Sequence, residues 1–291
     1  MEIGLTRRGV MAASGGLMLG GMAPADLKGL ESTVGGRLGF ALLDTGSGKV
    51  TGHRLDERFG MCYTFKLLLA GAILKAADRG ELRLDTQVPI RKADLVPHAP
   101  VTAPMVGKSL SIGELARAAQ VTSDNVAANL LLKQLGGPAG FTGRLRAMGD
   151  KTTRLDRIEP HMNLVIGADP RDTTTPRAMA MSAAALVHGP VLKPASRALL
   201  AGWMEETRTG MRRLRAATPP GWRAGDKTGT GGAKGMPDRI NDVAIFWPPN
   251  GAPLVVAAFY EAPGSYPRVR AQDEAVLAQA MQIALPSSYQ K

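Results

Sequence analysis

Apolar positions recur with two different periods along this chain. Leu38 to Asp44 (LGFALLD) is a short apolar run closed by Thr45-Gly46-Ser47-Gly48 and followed by Lys49 to Arg54, which predicts an antiparallel hairpin near the start. A second strand-rich stretch lies near the other end. It comprises Asp242 to Trp247, a turn at Pro248-Pro249-Asn250-Gly251, and Leu254 to Tyr260. Between these ends the spacing is helical. Phe65 to Ala77 is apolar on most faces, so it predicts a buried central helix that Gly80 can end. Ser111-Ile112-Gly113-Glu114 has capping-box spacing and opens a helix through Ala119. Further helices are predicted over Val126 to Leu135, stopped by Gly136-Gly137-Pro138, then over Pro176 to Val187, Pro194 to Glu206 and Gln272 to Ala284. Strands near both ends and helices between them imply that the ends meet in one sheet while the middle forms a helical lobe.

Composition narrows the class. With 291 residues, 44% hydrophobic and 21% charged, the chain fits a soluble globular protein of one large domain or two closely joined ones. The basic surplus, 36 Lys plus Arg against 25 Asp plus Glu, suits an anionic partner but does not choose among nucleic acid, an anionic envelope and a small carboxylate. Aromatics are only 4% and no nucleic-acid motif appears, so a nucleic-acid partner is not expected. A single cysteine, Cys62, excludes an intrachain disulfide, and four histidines without ligand spacing argue against a metalloenzyme. Residues 4–25 carry the pair Arg7-Arg8, an apolar glycine-rich stretch and Ala23-Pro24-Ala25, the pattern of an export signal. The arginine pair suggests the twin-arginine route, and the stretch is too short for stable membrane insertion. An exported, periplasmic protein with residues 1–25 removed is the expectation.

Three short motifs fall where the two lobes should meet: Tyr63-Thr64-Phe65-Lys66 at the start of the buried helix, Ser123-Asp124-Asn125 between two helices, and Lys227-Thr228-Gly229 with Thr230. Residues i and i+3 share a helix face, which sets residue 63 beside the Lys66 ammonium. Any one triplet occurs by chance in roughly a few per cent of chains this long. Taken singly, Lys66 reads equally as a solvated helix start, Ser123-Asp124 as a helix cap, and Arg212, Arg213, Arg215 and Arg223 as a solvated basic face. Their order, together with Asn129 and Glu159-Pro160-His161-Met162-Asn163, says more than any one alone.

With those motifs the chain resembles the class A serine β-lactamases of the penicillin-recognising superfamily, whose signature is S-x-x-K, S-D-N and K-T-G. The resemblance spans the chain from about Leu27 to the last helix. It implies a two-domain α/β (α+β) fold: a five-stranded antiparallel sheet flanked by helices, from residues 26–60 and 207–291, and an all-helical domain from residues 61–206. The active site would lie in the cleft between them. Carried over position by position, Lys66 corresponds to the lysine that takes or relays the nucleophile's proton, and Ser123 to the hydroxyl that passes a proton to the departing nitrogen. Glu159 corresponds to the general base for the deacylating water, with Asn163 helping to hold that water. Asn125 would meet the substrate's side-chain amide. Lys227, Thr228, Gly229, Thr230 and Arg213 would surround its carboxylate, and His98 would stand at the cleft edge. Arg157 and Asp172 would be the ion pair closing an irregular loop over about 157–172. The resemblance also implies a monomer acting on a small β-lactam, with no cofactor and no metal.

One position departs from the pattern. Where the family keeps its nucleophilic serine, this chain has Tyr63. A phenol is bulkier than a serine hydroxyl and carries its oxygen several Å farther from the backbone, while reaction geometry tolerates errors of only about 1 Å. The leading expectation is therefore a β-lactamase scaffold with low or absent hydrolysis. Two alternatives stay open: a β-lactamase that uses the Tyr63 phenol as its nucleophile, and a non-catalytic protein that binds β-lactams or peptidoglycan peptides.

Overall fold

Strand pairing brings the two ends of the chain together. The computed structural model describes residues 26–233, 235–285 and 289, so the export-signal reading of residues 1–25 lies outside the described residues. In chain order the elements are α1 (Leu27–Val34), β1 (Arg37–Asp44), β2 (Val50–His53), β3 (Phe59–Gly60), α2 (Phe65–Asp78), β4 (Gln87–Pro89), β5 (Ser109–Ser111), α3 (Ile112–Val121) and α4 (Asn125–Gln134). There follow α5 (Gly137–Ala147), β6 (Thr173–Thr174), α6 (Pro176–Val187), α7 (Pro194–Glu206), β7 (Arg223–Gly231), β8 (Arg239–Trp247), β9 (Leu254–Glu261) and α8 (Ala271–Ala284). The main sheet has five strands in the order β2-β1-β9-β8-β7, antiparallel throughout.

Both sheet faces are covered, and the period-2 alternation divides them. Phe40, Leu42, Val256 and Tyr260 point outward against Leu30 of α1 and Leu277 and Met281 of α8. Ala41, Leu43, Val255, Ala257 and Phe259 point the other way, into one core shared with α2, α6 and the helices around them. Helix α2 forms the axis of that core. Apart from Lys75, every residue from Phe65 to Ala76 is buried, including Lys66, whose side chain is 0% exposed. A helix apolar on all sides needs neighbours on all sides, and α3, α4, α5, α6 and α7 supply them.

The local signals act as expected at several ends. Ser111 Oγ accepts from Glu114 N (3.2 Å) while the Glu114 carboxylate accepts from Ser111 N (2.7 Å), closing the capping box at α3. Pro176 and Pro194 open α6 and α7, where proline's missing N–H has no partner to lose. The short strands β3, β4, β5 and β6 escape the pattern, and so do three longer elements. The glycine pair that stops α4 also starts α5, which buries only Phe141 and Leu145 and so lacks a strong periodic stripe. Helix α1 directly follows the leader-like segment. Strand β7 carries the Lys227-Thr228-Gly229 motif and has too many polar and glycine residues to read as a strand.

The loop before α4 is tied down by a single carboxylate. Asp124, fully buried, accepts from Ala127 N (2.8 Å), Val101 N (3.0 Å), Thr102 N (2.9 Å) and Thr102 Oγ1 (2.8 Å). Replacing it by Ala strips a helix cap and orphans three further donors. Asp124→Ala should therefore lower the unfolding free energy by about 3 kcal/mol or more, read from urea melts.

Candidate active site

Three segments converge at the seam between sheet and helices. The first is the turn 62–64, a short 3-10 segment that runs into α2 and aims Lys66 inward. Its backbone is held by Asn241 Nδ2, which donates to Gly60 O (2.9 Å) and Met61 O (3.1 Å), and by Thr64 Oγ1, which donates to Met61 O (2.8 Å). The second is the α3–α4 connection, where Ser123 takes a left-handed φ of 58°. The third is β7, the edge strand of the main sheet. Gly229 packs against the turn so closely that a Cβ there would meet Met61 O at 2.9 Å and Thr64 N at 3.0 Å, so this strand approaches only with glycine at that position.

The convergence buries two lysines around one serine. Lys66 Nζ donates to Ser123 O (2.7 Å) and Asn125 Oδ1 (2.5 Å), and lies 3.1 Å from Glu159 Oε1. Lys227 Nζ donates to Ser123 Oγ and to Thr228 O (2.8 Å). Burial pulls the Lys66 ammonium below its ordinary value, against the opposing pull of Glu159. Lys227 has no carboxylate within ion-pair distance among the described residues. Burial first, and the neighbouring Lys66 charge second, bring it down to about 7. On the opposite face of β7 and β8 lie two buried acids. Asp226 is pushed up to about 6 and Asp242 well above the usual carboxylate range, in both cases chiefly by burial.

Glu159 is carried by the irregular loop 157–172. Arg157 Nε donates to Asp172 Oδ2 (2.5 Å), and Arg157 N and Asp156 N donate to Asp172 Oδ1 (3.0 and 2.7 Å), which closes the loop's neck. Asn129 fixes the backbone of Glu159 from both sides, accepting from its N–H (2.9 Å) and donating to its carbonyl (3.0 Å). Asn163 Nδ2 donates to Glu159 Oε2 (2.9 Å), and its own Oδ1 is buried without a hydrogen-bond partner. A carboxylate and an amide oxygen so arranged can hold a water molecule and take its proton.

The remaining residues singled out in the sequence lie around this group. Thr230 Oγ1 accepts from Arg213 Nη2 (2.7 Å), and Arg213, itself buried, also donates to Gly229 O (3.1 Å) and Asn241 O (2.8 Å) and pairs with Glu274 (3.1 Å). Thr228 Oγ1 shares a hydrogen bond with Thr209 Oγ1 (2.6 Å). Asn125 Nδ2 also donates to Pro97 O (2.8 Å). His98 is exposed and stands at the rim, where its ring stacks on that of Tyr63 (centroids 6.1 Å apart, planes within 6°). The Tyr63 ring in turn lies 4.4 Å from Lys66 Nζ, a cation-over-ring contact in which the ring, not the hydroxyl, meets the ammonium. An open cleft of about 450 Å³ runs from Tyr63 past Thr230, Gly231 and Gly232 to Tyr266 and Arg268. Tyr63 lines it, while Lys66, on the ring, does not.

The family model for the β-lactamase enzyme family matches residues 24–285. The chain belongs to that family. It is 49% identical over 241 residues to β-lactamase L2 of Stenotrophomonas maltophilia, covering 82% of this chain and 78% of that one. It is 42% identical over 256 residues to the carbapenem-hydrolyzing β-lactamase KPC of Klebsiella oxytoca, covering 88% and 85%. Among solved structures, an ancestral (GNCA) class A β-lactamase superimposes with a TM-score of 0.84 at 47% identity, covering 89% of this chain and 97% of that one. L2 complexed with relebactam gives 0.84 at 48%, covering 90% and 95%. The class A fold and the hydrolase lineage are thereby established.

This β-lactamase also relies on residues the sequence did not single out for a role. Asn241 positions the turn that carries Tyr63, and the acids Asp226 and Asp242 lie behind Lys227. The dipeptide Asn241-Asp242 is visible in the sequence, but its cross-lobe hydrogen bonds appear only once the sheet is assembled. Cys62 is a buried thiol pushed up to about 12 by burial, which leaves it unreactive as a thiolate. Among the described residues no group of three His, Cys, Asp or Glu could hold a metal, and no helix is long and apolar enough to cross a membrane.

Lys227 should lose its proton near neutrality, so the positive charge offered to an anion is present below pH about 7 and fades above it. In lysine labelled at Cε, one carbon resonance should titrate with a midpoint near 7 and be missing in Lys227→Met.

Proposed function

We propose that this chain is a class A β-lactamase scaffold for opening the amide of penicillins and cephalosporins through an acyl-enzyme and a Glu159-activated water, silenced at the nucleophile position by Tyr63. In this reading Lys66 and Glu159 handle protons at acylation and deacylation, and Asn163 helps hold the water. Ser123 returns a proton to the leaving nitrogen. Lys227, Thr228 and Thr230, backed by Arg213, receive the carboxylate, with Gly229 letting their strand approach. Asn125 and His98 border the substrate's side chain. The backbone N–H groups of residues 63 and 230 face the developing oxyanion. We further propose that the protein acts as a monomer after export to the periplasm, with residues 1–25 as its signal.

The observation that carries this reading is the Tyr63 ring seated on Lys66 Nζ at 4.4 Å. Lys66, Ser123, Glu159 and Asn163 stand together as this reading requires, yet the lysine meets the face of a ring where acylation needs a hydroxyl. Burial, and then the Glu159 charge, push the phenol above its ordinary value, so a phenolate nucleophile is disfavoured and tyrosine-based acylation loses its main support. A pure binding role does not need the Glu159–Asn163 pair, whose chemistry serves hydrolysis.

Tyr63→Ser should raise hydrolysis of a chromogenic cephalosporin by at least about a thousand-fold over the unaltered chain, because it puts an alcohol within reach of Lys66 and opens the cleft. An adduct on Tyr63 in the intact-mass spectrum of the unaltered protein, with turnover, would sink the proposal. Adding Glu159→Gln to Tyr63→Ser should let the serine acylate and then stall. The acyl-enzyme should then persist in the mass spectrum for minutes where Tyr63→Ser alone clears it.

A further inference from the structure

Arg239 stands at the start of β8, opposite Gly231 on β7 and Glu261 on β9. Strand alternation puts it on the face of Asn241 and Val243, the side toward the helical lobe, whereas Ile240 turns into the outer core. Arg239 is 4% exposed. Its Nε donates to Glu261 Oε1 (3.1 Å) and its Nη2 to Val165 O (2.7 Å), while Nη1 is buried with no hydrogen-bond partner. Arg37 Nε holds the other oxygen of Glu261 (2.9 Å). A buried guanidinium is costly unless its pairing is good, and an apolar side chain would fill this space at lower cost. What the guanidinium alone supplies is a second donor that reaches the loop above the sheet.

Val165 lies two residues beyond Asn163, on the return arm of loop 157–172. The loop's other arm is fixed at Glu159 by Asn129, and its neck by Arg157 and Asp172. Arg157 also reaches Leu164 O (3.0 Å), but Arg157 belongs to the loop itself. The Arg239 bond therefore ties the return arm to the sheet. Asn163, two residues before Val165 on the same arm, donates to Glu159 Oε2 (2.9 Å), and Glu159 Oε1 lies 3.1 Å from Lys66 Nζ. None of Lys66, Ser123, Lys227 or Thr230 shares a hydrogen bond with Arg239.

We propose that Arg239 is a positioning residue for deacylation, clamping the return arm of the Glu159 loop onto the sheet so that Asn163 and Glu159 keep their mutual geometry. The proposal rests on the reading of Glu159 as the base for the deacylating water.

The test has two arms. In the unaltered chain, hydrogen exchange is compared for Arg239→Ala and Arg239→Lys. Arg239→Ala should speed exchange of amides 161–168 by about ten-fold or more while α2 and α8 stay unchanged, and Arg239→Lys, able to hold only one of the two partners, should fall between. Unchanged loop exchange, or acceleration throughout α2 and α8, overturns the clamp. In the Tyr63→Ser background, Arg239→Ala should lower kcat for a cephalosporin about ten-fold or more with kcat/KM kept within about three-fold, and acyl-enzyme should accumulate in the mass spectrum. An equal fall in kcat and kcat/KM without an adduct overturns the assignment to deacylation. If Tyr63→Ser is itself inert, the functional reading fails on its own, and the exchange measurements still decide whether Arg239 clamps the loop.

Discussion

Lys66 on α2 and Lys227 on β7 meet from opposite sides of the seam and are both shut off from water, with Ser123 hydrogen-bonded to each, so the junction must either supply negative charge or shed protons. The two lysines meet this demand differently. Lys66 has Glu159 at 3.1 Å, and a carboxylate brought this deep needs a loop to carry it. That requirement accounts for the Arg157–Asp172 neck, the grip of Asn129 on the Glu159 backbone and the amide of Asn163 on Oε2. Each serves to hold one carboxylate beside one ammonium.

Lys227 has no such partner, and the consequence runs through the sheet. Its acids are Asp226 and Asp242 on the far face of β7 and β8, themselves raised by burial, with Arg215 at 3.2 Å from Asp226 and the Leu214 amide at 3.2 Å from Asp242. Arg213 adds a further cation on the Thr230 side. The result is a seam whose buried positive charge the protein's own acids only partly cancel. The two buried lysines thus differ in one respect: Lys227 is left without a counter-ion within ion-pair distance among the described residues, while Lys66 has Glu159.

Much of this was legible in the sequence because the elements are locally consistent. The buried α2, the capping box of α3 and the proline-opened α6 and α7 follow from periodicity and end signals, and the terminal hairpins imply that the ends share a sheet. What escaped was decided by long-range partners. Strand β7 has glycines where the turn 62–64 presses against it, so its sequence reads as a loop until that contact exists. Helix α5 is held by two buried side chains, too few to make a stripe. Arg239 and Asn241 look like ordinary strand residues, and their roles come from Val165, Gly60 and Met61, distant in sequence. The motif residues could be gathered by their resemblance to a family, but the hydrogen bonds that position them could not.

The same long-range contacts explain why residue 63 can differ without disturbing the fold. The backbone around it is set by others: Asn241 holds Gly60 and Met61, Thr64 folds back on Met61, Met61 N donates to Asp172 O (3.1 Å), and Gly229 closes against the turn. None of these contacts involves the side chain at position 63. That side chain projects into the cleft, where its ring rests on Lys66 and stacks on His98. Fold and chemistry are therefore separable at this position. The scaffold fixes where the side chain of residue 63 begins, and under the proposed function its length and shape decide whether an oxygen reaches Lys66, Ser123 and Glu159.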